Sequence, residues 1–361
     1  ENFAGENFAG ENFAGENFAE VNTGDKAVVK DFFSDHELCD ATIYFEKPVE
    51  NVSLNLSLSS GKEVLKIKTL HLGSVEAGEE VTKIHFWELK EAQGEEKDSY
   101  TAHLSVGSGG IILASERYSF SYRNPTLSPL KVVDFSADSE KASALISPQE
   151  LSFIQMPKPG LVDLELRLLS GTEILYSEDL KNIPVLEAHY QAMYWPFLLE
   201  KGKDYTALLK VRLHSPALTS VYRSDFSAVE DVEILDRDVD VDEYGASVTL
   251  AGKSQVPFDG VVRVVLTSGD GVERVFEEPA DILPAGREDT VGIIWQGVPR
   301  GDYNVRIYAL NLEGEVLDSH ETVLRVFEPV STMTPVEKSP GGTGLGTILV
   351  LCLFLGRKAH V

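Results

Sequence analysis

Hydrophobic and polar residues alternate along most of the chain in short runs. Clear examples are Val52–Gly61 (VSLNLSLSSG), Val162–Gly171 (VDLELRLLSG) and Val261–Gly269 (VVRVVLTSG). An alternation of period two places successive side chains on opposite faces of a β-strand. Turns rich in Gly, Pro, Asn and Asp separate the runs, and no amphipathic helical period stands out before the C-terminal segment. The pattern therefore predicts an all-β chain.

The runs recur in register. Each of these three runs is followed by a second alternating run. The second run begins with a tyrosine, and a tryptophan lies shortly before that tyrosine. The tyrosines lie 105 and 98 residues apart, and the glycines that close the first runs lie 110 and 98 residues apart. Two landmarks that repeat together over about 100 residues indicate an internal repeat of one structural unit. The repeated aromatic residues are Trp87 and Tyr100, Trp195 and Tyr205, and Trp295 and Tyr303.

A unit of this length, with short strands and regular turns, is typical of a seven-stranded immunoglobulin-like sandwich. We therefore predict three tandem immunoglobulin-like β-sandwiches, over residues 23–126, 127–227 and 228–329. The three tryptophans are expected to fill the cores between the sheets. The tyrosines open the penultimate strand, where a tyrosine hydroxyl commonly ties back to the preceding loop.

The third unit ends in the pattern W…GDYNVRIYA (Trp295–Ala309). Here the order of Trp, Gly turn and Tyr resembles the end of CARDB-like and related prokaryotic immunoglobulin-like domains. The resemblance implies surface display or adhesion, by analogy of fold.

The two ends of the chain differ from the repeats. Residues 1–22 contain four copies of an ENFAG-type pentapeptide, and we expect low-complexity, disordered sequence there. Residues 330–344 form a Pro/Gly/Thr linker, residues 345–356 an apolar segment predicted as a short helix, and residues 357–361 a basic tail. The apolar segment is shorter than the ~20 residues of a usual spanning helix, so it is either a membrane anchor or a sorting segment that is removed. Its apolar residues are Leu345, Ile348, Leu349, Val350, Leu351, Leu353, Phe354 and Leu355.

This C-terminal arrangement resembles the PGF-CTERM type of sorting signal of archaeal surface proteins. The similar features are the Thr/Pro-rich linker, Pro340 followed by Gly341, the apolar segment, and the basic pair Arg357 and Lys358. The chain has Gly342 where that type has Phe. The resemblance implies C-terminal anchoring, with the modules on the extracellular side of the membrane.

Composition narrows the function classes. The formal net charge is −26, which argues against a nucleic-acid partner because phosphate backbones require a basic surface. Cys39 and Cys352 lie at opposite ends of the chain, so no intramolecular disulfide is expected. A repeat array without disulfides indicates either a prokaryotic surface protein or a reducing compartment.

Residues with catalytic or metal-binding chemistry are scattered. The histidines lack zinc-site spacing, and there is no nucleophile-elbow motif, so no enzyme is predicted and no cofactor beyond calcium is expected. The segment Ser34–Asp40 (SDHELCD) is either a transition-metal cluster or a polar turn between strands, with the turn favoured. The acidic run Asp236–Gly245 is either a calcium site or an edge strand with its carboxylates outward, since carboxylate oxygens suit Ca²⁺. Its candidate ligands are Asp236, Asp238, Asp240 and Asp242.

Two further features concern the surface. Asn51 and Asn55 begin glycosylation acceptor patterns and lie four residues apart, which predicts one strand face. The aromatic stretch His189–Phe197 contains Tyr190 and Tyr194, which alternation could turn outward as a platform for a glycan or a protein.

The sequence as a whole predicts a non-enzymatic cell-surface protein. Three modules would form a membrane-tethered rod for adhesion, ligand binding or surface-layer structure. Its partners would be the membrane, and either a protein or glycan at the cell surface or further copies of itself. The alternative is an accessory subunit of a larger surface assembly, such as a sheath, a pilus or an enzyme complex.

Overall fold

The computed structural model describes residues 26–87, 99–121, 129–149, 160–215, 217–296 and 298–327. Within those ranges the chain forms twenty-one strands in six antiparallel sheets, and no helix. The sheets pair into three sandwiches, which we call modules 1, 2 and 3. The prediction of an all-β tandem array is confirmed.

Module 1 consists of a three-stranded sheet of order β1-β2-β5 and a four-stranded sheet of order β4-β3-β6-β7. Its strands are β1 (Ala27–Ser34), β2 (Leu38–Phe45), β3 (Val49–Ser60), β4 (Glu63–Val75), β5 (Glu80–Phe86), β6 (Tyr100–Ser108) and β7 (Ile111–Phe120).

Module 2 repeats this arrangement in sheets of order β12-β9-β8 and β11-β10-β13-β14. Its strands are β8 (Leu130–Ala137), β9 (Lys141–Pro148), β10 (Gly160–Ser170), β11 (Glu173–Val185), β12 (His189–Tyr194), β13 (Asp204–Leu213) and β14 (Leu218–Ser227).

Module 3 has sheets of order β15-β16-β19 and β18-β17-β20-β21. Its strands are β15 (Val232–Val241), β16 (Gly245–Gly252), β17 (Gly260–Ser268), β18 (Glu273–Pro279), β19 (Glu288–Ile294), β20 (Gly301–Asn311) and β21 (Val316–Val326).

In every module the fourth strand pairs with the third strand and therefore belongs to the same sheet as the third strand. In a constant-type immunoglobulin domain the fourth strand belongs to the opposite sheet. Tight hairpins explain the difference in modules 1 and 2, where Ser60 pairs with Glu63 and Ser170 with Glu173. The first loop residue is Gly61 or Gly171, with φ of 59° and 62°, in a left-handed region that glycine adopts without steric cost.

Alternation builds each core as predicted. In β3, Val52, Leu54, Leu56 and Leu58 are buried, while the residues between them point to the opposite face of the sheet. Apolar residues of both sheets meet in one cluster per module, and each cluster contains one of the three tryptophans. Burial of these inner faces is the main source of stability for a sandwich.

Candidate functional site

The three tryptophans lie in equivalent places. Trp87, Trp195 and Trp295 are buried, and each follows the fifth strand of its module. The backbone N–H of each donates to a carbonyl in the turn between the first two strands, at 2.7, 3.2 and 3.0 Å. The indole N–H of Trp87 also donates to Ser34 Oγ at 3.0 Å, and that of Trp195 to the Asp138 carbonyl at 2.8 Å. These residues hold the end of each sandwich together.

The tyrosines of the penultimate strands differ from one another. Tyr303 is buried, and its hydroxyl donates to the Pro299 carbonyl at 2.7 Å, which is the corner contact that the sequence predicts. The hydroxyl of Tyr205, also buried, instead accepts from the Glu200 backbone N–H at 3.2 Å. Tyr100 is half-buried and its ring stacks on Phe120, with 5.4 Å between centroids.

Modules 1 and 2 pack side by side. The outer face of the three-stranded sheet of module 1 contacts the outer face of the four-stranded sheet of module 2. A buried apolar cluster joins Phe33, Leu38 and Ile84 of module 1 to Leu169 and Leu208 of module 2. The four sheets of the two modules therefore form one stack. The linear rod of three modules that the sequence predicts is wrong at this junction, because a rod requires contact between module ends.

A group of six charged side chains lies in the same interface, and we call it the ionic cluster. Lys210 Nζ lies 2.6 Å from Asp40 Oδ2 and 2.5 Å from Asp31 Oδ2, although Lys210 belongs to module 2 and both aspartates to module 1. Arg167 Nη1 lies 2.7 Å from Asp40 Oδ1. Three cations meet three anions, so the cluster is neutral overall. Its members are Asp31, Asp40, Glu165, Arg167, Lys210 and Arg212.

The centre of the cluster is buried. The side chains of Lys210 and Asp40 are only 4% and 6% exposed. Burial by itself raises the pKa of Asp40, but the charges and hydrogen bonds of Lys210 and Arg167 together hold that pKa below its usual value. Burying charges costs several kcal/mol per ion unless each is well paired. The cluster therefore favours one relative placement of the two modules, because any sliding would leave a buried charge without its partner.

Sequence reasoning missed this interface, although the sequence carries a signal for it. Leu169 interrupts the alternation of β10 because it directly follows a core-facing leucine. Leu208 interrupts the alternation of β13 because it directly precedes one. A strand that is apolar on both faces is covered on both faces. The same reasoning applies to Phe33, which follows the core residue Phe32 in β1.

The segment Ser34–Asp40 contains the turn between β1 and β2 and the first residues of β2, and its side chains point in different directions. Asp35 Oδ1 accepts the backbone N–H groups of Glu37 and Leu38 at 2.8 and 2.9 Å. Cys39 is buried in the core of module 1, where burial raises the pKa of its thiol. Asp40 points out of that core into the ionic cluster. Across the described ranges, no group of three or more His, Cys, Asp or Glu side chains is arranged to hold a metal ion.

The junction between modules 2 and 3 joins module ends. Gln255 of module 3 donates its backbone N–H to the Ser139 carbonyl at 2.9 Å and its side-chain amide to the Trp195 carbonyl at 2.8 Å. Val256 is buried in the core cluster of module 2. Lys201 Nζ also lies 2.9 Å from Glu230 Oε2 and 2.8 Å from Glu313 Oε2. Module 3 thus extends from the end of module 2.

An acidic cleft of about 580 Å³ lies at this junction. Burial raises the pKa of Asp231, and the negative charges of Asp138 and Asp318 add to that effect. The side chains in the cleft disfavour anionic ligands. Its charged residues are Asp138, Glu140, Glu230, Asp231, Glu233, Asp318 and Lys253.

The acidic run lies on and after the edge strand β15. Asp236, Asp238 and Asp240 are exposed on this strand, while Val239 and Val241 pack against the core of module 3. Asp236 Oδ1 is 2.7 Å from His320 Nδ1. Asp242 Oδ1 instead caps the following turn by accepting from Tyr244 N at 2.7 Å and Gly245 N at 2.9 Å. The placement matches the edge-strand alternative, and calcium binding stays a prediction.

Asn51 and Asn55 are both exposed on β3. The pairing of β3 with β4 shifts between Val49 and Val52, and Asn51 has a φ of 53° in that irregular stretch. The strict alternation that was expected to place both side chains on one face is therefore interrupted at Asn51. Asn55 Oδ1 accepts a hydrogen bond from Thr69 Oγ1 at 2.8 Å. Glycosylation at either residue stays a prediction.

The outer face of the three-stranded sheet of module 2 carries the two exposed tyrosines. Tyr190 is 59% and Tyr194 56% exposed, and both lie on the edge strand β12 with Ala192 between them. Lys141 of the adjacent strand β9 lies over the Tyr194 ring, at 5.2 Å from its centroid. The next outward residue of β9, Ser143, shares a hydrogen bond with Ser136 at 3.1 Å. No other described part of the chain covers this face, which has an aromatic edge.

The N-terminal pentapeptide copies and the C-terminal linker, apolar segment and basic tail lie outside the described residues, so the anchor prediction has no structural account here. In the ranges that the structure does cover, no helix has the length and apolar character needed to cross a membrane.

No protein-family model matches the chain, and no match is found among curated proteins. Among solved structures, the chain is similar to a tetra-tandem repeat from the extending region of a large adhesion protein, at 12% identity and a TM-score of 0.24, covering 82% of this chain and 73% of that one. It is also similar to a two-domain fibronectin type III segment of chicken tenascin, at 18% identity and a TM-score of 0.26, covering 55% and 97%. A third similarity is to the FN1–FN3 domains of chicken CNTN1, at 10% identity and a TM-score of 0.19, covering 83% and 98%. These similarities support no conclusion about function. The assignment of tandem sandwiches rests on the strands and sheets described above.

Proposed function

We propose that this protein is a non-enzymatic scaffold of the cell surface that holds binding faces in a fixed arrangement. The observation that carries the proposal is the interface between modules 1 and 2. Its apolar cluster and neutral ionic cluster lock two sandwiches into one four-sheet stack. Flexible linkage would be sufficient for modules that bind independently, whereas a locked pair suits a protein whose task is to present surfaces.

The rest of the chain supports display outside the cell. The net charge of −26 keeps an exposed protein soluble and separate from other acidic surfaces. The apolar segment at residues 345–356, with its basic tail, would tether the chain, and the Pro/Gly/Thr linker would place the modules away from the membrane. The resemblance to archaeal sorting signals supports the same arrangement.

The alternative, an accessory subunit of a larger surface assembly, is favoured by one observation. No described residue of another module covers the outer face of module 2 that carries Tyr190 and Tyr194, although the equivalent face of module 1 is covered by a neighbouring module. A face of this kind is available to a partner.

Protease shaving of intact source cells, with mass spectrometry of released and membrane-retained peptides, tests the proposal. We expect peptides of all three modules in the released fraction. Recovery of the C-terminal peptide ending at Val361 from the membrane would identify the segment as an anchor, and a chain that ends near Gly341 would identify it as a removed signal. Protection of all three modules in intact cells, with digestion after lysis as the control, would contradict display at the surface.

A further inference from the structure

The three modules can be aligned by one conserved backbone contact within the chain. The N–H groups of Trp87, Trp195 and Trp295 donate to the carbonyls of Glu37, Glu140 and Tyr244. The second and fifth strands of the three modules therefore correspond in register.

The alignment identifies the Tyr190/Tyr194 face of module 2 as the equivalent of the face that docks in module 1. Leu38 of module 1 pairs with Phe86, as Lys141 of module 2 pairs with Tyr194. Asp40 and Ile84 correspond in the same way to Ser143 and Ala192. One face of this type is thus seen to bind a four-stranded sheet, and the second copy of it is uncovered.

Module 3 has a face of the complementary type that no other described part of the chain covers. The tyrosines of the penultimate strands align its four-stranded sheet with that of module 2, so that Arg306, Tyr308 and Glu321 occupy the places of Leu208, Lys210 and Arg223. Val275 and Val323 are exposed on the outer strands of this sheet. Two polar atoms of this sheet, Arg306 Nε and Thr267 Oγ1, are buried and make no hydrogen bond among the described residues.

The substitutions on the two uncovered faces match each other. In the interface between modules 1 and 2, Arg223 lies over the Phe86 ring, at 4.6 Å from its centroid. At the equivalent place, module 2 offers Tyr194 with the cation Lys141 over its ring, and module 3 offers the anion Glu321. In the covered interface a cation thus meets an uncharged ring. On the uncovered faces the cation Lys141, which also pairs with Glu140 at 2.8 Å, would lie opposite the anion Glu321.

The two residues at the centre of the contact also differ together between the covered interface and the uncovered faces. In the covered interface, Asp40 meets Lys210 as a buried ion pair. The equivalent residues on the uncovered faces are Ser143 and Tyr308, which are both uncharged and can form a hydrogen bond. The Ser143–Tyr308 pair therefore adds no buried charge at this place.

We propose that the three-stranded face of module 2 docks on the four-stranded face of module 3 in a second copy of this chain. The two faces differ, so after one contact the first copy keeps its module 3 face free and the second copy keeps its module 2 face free. Such a heterologous contact continues from copy to copy as a filament or ring. The proposal goes beyond the scaffold function, and it is tested in solution without reference to where the protein resides.

Sedimentation velocity of the full-length chain, from about 1 µM to about 200 µM at about 0.15 M salt, tests the docking. We expect concentration-dependent growth in the sedimentation coefficient. Lys141→Glu or Glu321→Lys alone should weaken the association by about tenfold, because each places like charges opposite one another. The double variant Lys141→Glu/Glu321→Lys should restore it.

Ile294→Ser is the matched control. Ile294 is exposed in module 3 at the position equivalent to Tyr194, but it lies on a face that the proposal does not use. We expect it to associate as the parent chain does. Monomeric sedimentation throughout, single reversals without effect, a double reversal that fails to restore association, or an equal effect of Ile294→Ser would each overturn the proposal. Monomeric protein that binds glycans through Tyr194, with binding lost in Tyr194→Ala, would assign the face to a glycan instead.

Discussion

Neutralising Lys210 is the most informative single change to the described structure. In Lys210→Met the ionic cluster changes from three cations and three anions to two cations and three anions. Asp40 keeps Arg167 at 2.7 Å and Asp31 keeps Arg212 at 2.5 Å, so neither carboxylate loses every partner. Breaking a buried ion pair on one side costs about 3–5 kcal/mol, and the remaining arginines place this case near the lower end, at about 3 kcal/mol.

The expected loss is located at the interface between modules 1 and 2. Urea unfolding of the full-length chain measures the free energy, and native-state hydrogen exchange shows which amides lose protection. We expect the loss of protection on β2 and β13, with module 3 unchanged. Arg325→Met is the matched control, because Arg325 Nε lies 3.7 Å from Asp302 Oδ1 in an exposed pair worth about 0–1 kcal/mol.

A double variant tests whether the loss of stability in Lys210→Met comes from a buried charge that has lost its partner. Lys210→Met/Asp40→Leu removes one charge of each sign and leaves Arg167 and Arg212 with Glu165 and Asp31. Replacing a buried pair by apolar residues is often neutral, so the double variant should be no less stable than Lys210→Met alone. A loss below about 1 kcal/mol for Lys210→Met, or a double variant whose loss equals the sum of the singles, would refute the account of the cluster.

Three further predictions follow from individual groups. Because the pKa of Asp40 is lowered in the folded chain, its stabilising contribution is present above the usual carboxyl value of 3.8 and is lost as pH falls through the lower folded value. Small-angle scattering from pH 7 to pH 3 should show module 1 separating from module 2 only at the acid end, and separation already near neutral pH would contradict this. Tyr303→Phe removes the hydrogen bond to Pro299 and should cost about 1 kcal/mol in thermal unfolding, whereas Tyr308→Phe, on the outer face, should cost less. The Cys39 thiol, buried and with a raised pKa, should resist iodoacetamide in the native chain and react after unfolding in urea, as peptide mapping would show; rapid native labelling would contradict its placement.

Local sequence was sufficient to predict the individual sandwich. Period-two alternation decides which side chains of β3 face the core, and Gly61 or Gly171 permits the tight hairpin that follows the third strand. The recurrence of tryptophan and tyrosine predicted three copies. These features depend on interactions within one module, so they are visible as periodic patterns in the sequence.

The contacts between modules left a weaker trace. Asp40, Lys210 and Arg167 each stand at an outward strand position, where a charged residue ordinarily faces solvent. The partners Asp40 and Lys210 are 170 residues apart, and no local pattern indicates that they meet. Only the doubled apolar positions at Phe33, Leu169 and Leu208 indicate that these outer faces are covered.

The sequence by itself determined the all-β class, the tandem organisation, the core positions of Trp87, Trp195 and Trp295, and the unusual character of both ends. The tertiary structure decided that module 1 lies beside module 2, that module 3 continues from the end of module 2, and which outer faces the described residues leave uncovered. The physical reason is that a sandwich core is specified by the alternation of each strand, whereas docking depends on side chains from distant strands that become neighbours only after two sandwiches have formed.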